Sequence, residues 1–86
     1  MTSKEITVTN DKGLHARPAT FFIQRANTFK SSVWVAVADR RANAKSLLGV
    51  LSLGVSKGDT ITLIADGTDE EDAVLGLSEL VAGFEN

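Results

Sequence analysis

The chain has 86 residues, with nine Lys and Arg against eleven Asp and Glu for a formal net charge of −2 and 43% hydrophobic content, which suits one domain with a modest core. No cysteine is present and there is a single histidine, so disulfides, thiolate catalysis and cysteine-held metal centres are excluded and no dedicated metal site is expected. The slightly acidic balance argues against direct nucleic-acid binding, and no apolar run has the length of a membrane span or the placing of a signal peptide, so a soluble cytoplasmic domain without membrane insertion is expected.

Residues 5–9 alternate polar and apolar side chains with β-branched members, which predicts a half-buried strand ending in the loop Asn10, Asp11, Lys12 and Gly13. From Ala16 to about Asn27, the residues Ala19, Phe22, Ile23 and Ala26 recur at helical spacing, while Phe21 falls off the stripe toward solvent. Residues 32–37 form a second strand around Val33, Trp34 and Val35, and a weaker return strand over 40–44 follows a turn at Ala38 and Asp39 that lacks a glycine. Residues 47–51 make a short helix after Ser46. Residues 60–65 make the fourth strand, with Ile61, Leu63 and Ile64 offered to the core. Thr68 and Glu71 have capping-box spacing for a last helix, whose apolar face carries Ala73, Val74, Leu77, Leu80, Val81 and Phe84. Gly76 weakens that helix by roughly 1 kcal/mol relative to alanine. The order β-α-β-β-α-β-α, with every helix one-sided, predicts an α+β open-faced sandwich in which a four-stranded antiparallel sheet carries three helices on one face.

Charge is unevenly spread. Arg17, Arg25, Lys30, Arg40, Arg41 and Lys45 lie in the first half, whereas Asp66, Asp69, Glu70, Glu71, Asp72, Glu79 and Glu85 crowd the last quarter. The first-turn carboxylates suit the positive end of a helix and need no metal.

The run Gly13, Leu14, His15, Ala16, Arg17, Pro18 and Ala19 carries the chemistry. Proline is tolerated in the first turn of a helix, because the N–H it lacks would have no intrahelical partner there. The helix therefore begins just after His15, and its unpaired N–H groups and aligned dipoles favour an anion. Arg17 adds a fork of donors matched to phosphate oxygens. His15 adds a side chain that is nucleophilic and neutral near pH 7.

A second stretch begins at Lys45. Ser46 stands at a helix N-cap, where its oxygen accepts a bond from an orphan N–H. Leu47, Leu48 and Leu51 share one side of the helix while Val50 and Leu53 fall toward the other. Both sets cannot be buried in a single packing layer, so one is expected to form an exposed apolar patch.

Together the two stretches make the chain similar, over essentially its whole length, to the HPr family of histidine-containing phosphocarriers of the bacterial phosphoenolpyruvate-dependent sugar phosphotransferase system. The resemblance rests on the run from Gly13 to Ala19 and on Lys45, Ser46, Leu47, Leu48 and Gly49 followed by Leu51, Ser52, Leu53 and Gly54. It implies that His15 accepts a phosphoryl group at Nδ1 from enzyme I and passes it to IIA domains of sugar permeases, with Arg17 stabilising the phosphoryl oxygens. It further implies that Thr20, Leu47, Leu48 and Leu51 bind these partners, that Ser46 is a regulatory phosphorylation site, and that an HPr kinase/phosphorylase and a catabolite-control transcription regulator are additional partners. No cofactor and no enzymatic turnover are implied, and a monomer is expected. Two neighbouring roles share the pattern: a carrier of the nitrogen-regulatory phosphotransferase branch, and a corepressor acting through phosphorylated Ser46. Lys12 and the glycine-free turn at Asp39 depart from the family pattern.

Overall fold

A computed structural model describes residues 1–84. Its elements run β1 (Thr2–Thr7), α1 (Ala16–Ala26), β2 (Ser32–Val37), β3 (Arg40–Asn43), α2 (Leu47–Ser52), β4 (Thr60–Asp66) and α3 (Glu70–Ala82). The strands pair antiparallel in the order β1-β4-β2-β3. Period-two alternation decides which face is covered. Val33, Val35 and Val37 of β2 lie opposite Ala65, Leu63 and Ile61 of β4, and all six are buried. The helices close over that face through Phe22 and Ala26 of α1, Val50 of α2 and Ala73, Leu77 and Val81 of α3. The other face carries Ser32, Trp34 and Ala36 beside Thr62 and Ile64 and stays open. The architecture is thus the α+β open-faced sandwich that the element pattern predicts.

Three expectations are corrected. The first strand begins at Thr2 and ends at Thr7, three residues ahead of the expected start. Its extra residues are polar because they form an edge strand, and they pair because β4 runs on to Asp66 and supplies Ala65 opposite Thr2. Ile64 belongs to the open face: strict alternation places it opposite Trp34 and leaves it half-buried. The capping box of Thr68 and Glu71 does not form. The helix starts at Glu70, whose carboxylate accepts from the Gly67 N–H at 3.2 Å and also takes the Thr2 hydroxyl and the terminal amine. Asp69 at the N-cap makes no cap bond and accepts instead from the Lys30 and Ser31 N–H groups at 2.8 and 2.9 Å and from the Ser31 hydroxyl. Donors brought in from β1 and from the loop before β2 outcompete the local cap. Glu85, the last member of the acidic run, lies outside the described residues.

Gly76 gains a packing reason here. A Cβ at that position would lie 3.0 Å from Phe29 Cζ and 3.3 Å from Arg25 Nη2, so the missing side chain lets the end of α1 seat on α3. Arg25 lies over the Phe29 ring, 5.3 Å from its centroid, at that same junction. Among the described residues, no helix is long and apolar enough to cross a membrane, and no group of three or more His, Cys, Asp or Glu is placed to hold a metal ion.

The turn between β2 and β3 has Ala38 at φ +54, the only positive φ of its two central residues, as a type II′ hairpin requires. An L-residue there is strained by roughly 1–2 kcal/mol, part of which returns because glycine is more disordered when unfolded. Ala38→Gly is therefore expected to stabilise the fold by about 0.5–1 kcal/mol in urea denaturation, and a loss of stability would contradict the turn assignment. Asp69 is held down from an ordinary 3.8 to about 2, first by the Ser31 hydroxyl and then by the Lys30 N–H. Glu70 falls from 4.5 to about 2, first through Thr2 and then through the terminal amine and the Gly67 N–H. Both shifts are depressions, so the stability they carry is full above the ordinary carboxylate range and is lost as pH drops from about 4 toward about 2. Asp69→Asn should be less stable than the unsubstituted chain at pH 7, with the gap closing by pH 2, as followed by circular dichroism.

Candidate functional site

The segment between β1 and α1 is held from three directions. The Gly13 N–H donates to the Asn10 carbonyl at 3.2 Å, and Asn10 Nδ2 donates back to the Gly13 carbonyl at 3.0 Å. Gly13 itself has φ +57, and a Cβ there would sit 2.2 Å from the Val55 carbonyl oxygen, so only glycine permits this approach. Leu14 is fully buried and its N–H donates to that same Val55 carbonyl at 3.1 Å. With its two predecessors fastened, the chain emerges at His15.

His15 is the N-cap of α1, with extended backbone at φ −118 and ψ 159, an exposed side chain and no cap hydrogen bond. The ring is therefore free to take a substituent. Ala16, the next residue, has φ +52, a conformation that strains an alanine by roughly 1–2 kcal/mol and lies at the start of the helix. Pro18 and Ala19 are buried, so α1 is anchored within its first turn. No acidic side chain lies in that turn, leaving the positive end of the helix dipole uncompensated beside His15. Arg17 is exposed and makes no hydrogen bond or ion pair among the described residues. Thr20 is half-buried and its hydroxyl donates to the Ala16 carbonyl at 3.3 Å. A nucleophilic nitrogen, a guanidinium and unpaired amides without a competing carboxylate are the components of a shallow, solvent-facing anion site.

The second stretch takes the expected local form. Ser46 caps α2, its Oγ accepting from the Gly49 N–H at 3.1 Å. Val50 and Leu53 are buried, whereas Leu47 is 40% and Leu48 81% exposed and Leu51 is half-buried against the core. The exposed apolar patch thus consists of Leu47 and Leu48, and Leu51 is mainly a packing residue. Phe21 on α1 is also exposed.

Helices α1 and α2 run antiparallel. At one end Asn27 Nδ2 donates to the Lys45 carbonyl at 3.3 Å and Lys45 Nζ donates to the Phe29 carbonyl at 2.8 Å; at the other, Leu14 is bonded to Val55. His15 and Arg17 therefore stand together at one end, and Ser46 stands at the opposite end. The 11 residues of α1 lie between the two ends, a rise of about 16 Å along the helix. Sequence reasoning missed Asn10 and Val55. Asn10 was legible as a turn residue three positions before Gly13, but the Val55 carbonyl reaches the loop only through the tertiary fold.

The family model described as "PTS HPr component phosphorylation site" matches residues 2–83. Phosphocarrier protein HPr of Neisseria meningitidis is 43% identical over 84 residues, covering 98% of this chain and 94% of that protein. HPr-like protein Crh of Halalkalibacterium halodurans is 43% identical over 77 residues, covering 90% of this chain and 92% of the relative. The crystal structure of HPr from Thermoanaerobacter tengcongensis superposes with a TM-score of 0.89 at 44% identity and covers 100% of both chains. A tightly braced loop presenting an unencumbered histidine at a helix start, on this fold and with these relatives, places the chain in the HPr family of phosphocarrier proteins.

Proposed function

We propose that the chain carries a phosphoryl group on His15 from phosphorylated enzyme I to IIA domains of sugar permeases in the cytoplasm. The exposed, uncapped imidazole at the N-terminus of α1 carries this reading. In the forward step the Nδ1 lone pair forms a bond to phosphorus while the bond from phosphorus to the donor atom breaks, its electron pair staying with the donor. The His15 proton rests on Nε2, so no external base is needed. Delivery to the IIA domain is the same exchange in reverse. Arg17 and the amides of the first helical turn stabilise the charge on the phosphoryl oxygens through charge-assisted bonds. A carrier must also release its load, and a shallow exposed site serves that better than a deep pocket.

Leu47 and Leu48 form the apolar centre of the docking surface, with Thr20, Leu51 and Arg17 at its margin. Such a patch suits brief complexes with small interfaces. Ser46 is the regulatory site, phosphorylated by an HPr kinase/phosphorylase. A phosphate there adds about −1.5 to −2 charge beside the leucines and at the N-terminus of α2, so partner choice changes without refolding. The likeness to Crh favours a second role, in which Ser46-phosphorylated chain binds a catabolite-control transcription regulator; the intact His15 keeps the carrier role alongside it. The working form is a monomer.

His15→Ala is expected to abolish acceptance of phosphate from phosphoenolpyruvate and enzyme I with an unchanged circular dichroism spectrum. An acid-labile, base-stable phosphate on that variant would overturn the assignment. Arg17→Ala should slow transfer by about tenfold or more while leaving stability within about 0.5 kcal/mol. Ser46→Asp should slow acceptance from enzyme I by about tenfold without abolishing it, and unchanged kinetics would remove the proposed switch.

A further inference from the structure

We propose that Asn10 is the positioning residue for His15, its side-chain amide acting as an internal strut that holds the Gly13 backbone while phosphoryl transfer takes place at His15; this rests on the carrier reading above. Asn10 is only 2% exposed, at the bend between β1 and the loop. Its Nδ2 donates to the Gly13 carbonyl at 3.0 Å, and its own carbonyl receives the Gly13 N–H at 3.2 Å, so the turn over residues 10–13 is closed twice by one residue. Its Oδ1 is buried and has no hydrogen-bond partner among the described residues. Burying an amide oxygen without a donor is unfavourable, so stability alone would favour an apolar side chain of similar volume here. The position holds an amide whose single side-chain bond goes to Gly13, two residues before His15.

Gly13 is where this bond matters. Its φ of +57 and its approach to the Val55 carbonyl set the direction of the peptide between Gly13 and Leu14, after which only the peptide between Leu14 and His15 precedes the phosphoryl acceptor. Leu14 fixes the far side of that peptide through its bond to Val55, and Asn10 fixes the near side by holding the Gly13 oxygen. Transfer rates depend steeply on alignment of the attacking nitrogen with the phosphorus, so a loop released on one side loses rate before it loses fold.

Inorganic phosphoramidate tests this without any protein donor: its P–N bond breaks and ammonia leaves with the bonding pair as the bond from phosphorus to His15 Nδ1 forms. Phosphohistidine formation is followed by phosphorus NMR on the full chain, and kcat and KM are measured separately with phosphorylated enzyme I. Asn10→Ala is expected to take up phosphate from phosphoramidate about tenfold more slowly, with kcat falling similarly and KM staying within about twofold. Asn27→Ala provides the control for stability alone. It removes amide-to-carbonyl bonds of 2.8 Å to Ile23 and 3.3 Å to Lys45 at the end of α1 away from His15 and should leave uptake unchanged. Uptake by Asn10→Ala within about twofold of the unsubstituted chain, with a thermal midpoint lowered as in the control, would reduce Asn10 to a stability residue and overturn the proposal. Should Asn10→Ala not fold, Asn10→Asp keeps the volume but sets an acceptor against the Gly13 carbonyl. The same slowing is expected, and normal uptake overturns the proposal equally. An unsubstituted chain that reacts with phosphoramidate but not with phosphorylated enzyme I would defeat the carrier reading while the Asn10 comparison still stands.

Discussion

The Val55 carbonyl is the point on which the site depends. It lies so close to Gly13 that no side chain fits between them, and it receives the Leu14 N–H. One backbone oxygen beyond α2 thereby fixes where the strand-to-helix connection turns and where His15 emerges. Leu14 adds a fully buried anchor directly beside an exposed reactive group. The contrast is the design: the backbone before His15 is immobilised by core packing, while the imidazole itself is exposed.

That rigidity also carries strain. Ala16 holds a left-handed conformation immediately after His15, where glycine would sit without penalty. The surrounding structure over-determines it, with Leu14 on one side and Pro18 and Ala19 on the other all buried. Strain at this point falls between the exposed His15, the proposed phosphoryl acceptor, and the buried part of the first turn of α1. The antiparallel packing of α1 and α2 has an equally direct effect. Ser46 and His15 stand at opposite ends of α1, whose 11 residues span about 16 Å, roughly twice the screening length at physiological salt, so charges at the two ends act on one another weakly through space.

Much of this was legible from residue order. The alternation in β2 and β4, the stripe of α1 and the cap at Ser46 follow local rules, and local rules decided them. Ile64 is as apolar as its neighbours, but alternation from Ile61 and Leu63 turns it to the open face, so its composition alone points the wrong way. The start of β1 was missed because Thr2, Ser3 and Lys4 lack apolar alternation, and their pairing depends on the length of β4. Thr68 and Glu71 had the spacing of a cap, yet the carboxylates of Asp69 and Glu70 found donors in Ser31, Lys30 and Thr2, which are remote in the chain. Gly76 costs the helix by local propensity, and its packing reason, the close approach of Phe29 and Arg25, comes from residues remote in the chain. In the site, His15 and Arg17 were visible by type and spacing, whereas Val55 was not, because a backbone carbonyl has no signature.

The open side of the sheet has a practical corollary. Trp34 is the sole tryptophan of the chain, half-buried on that side with the Arg41 guanidinium 4.8 Å from its ring centroid. The sheet thus interposes a full layer between this indole and the helices that bear His15 and the leucines. Its emission is a built-in gauge of sheet integrity, blind to whatever visits the helical side.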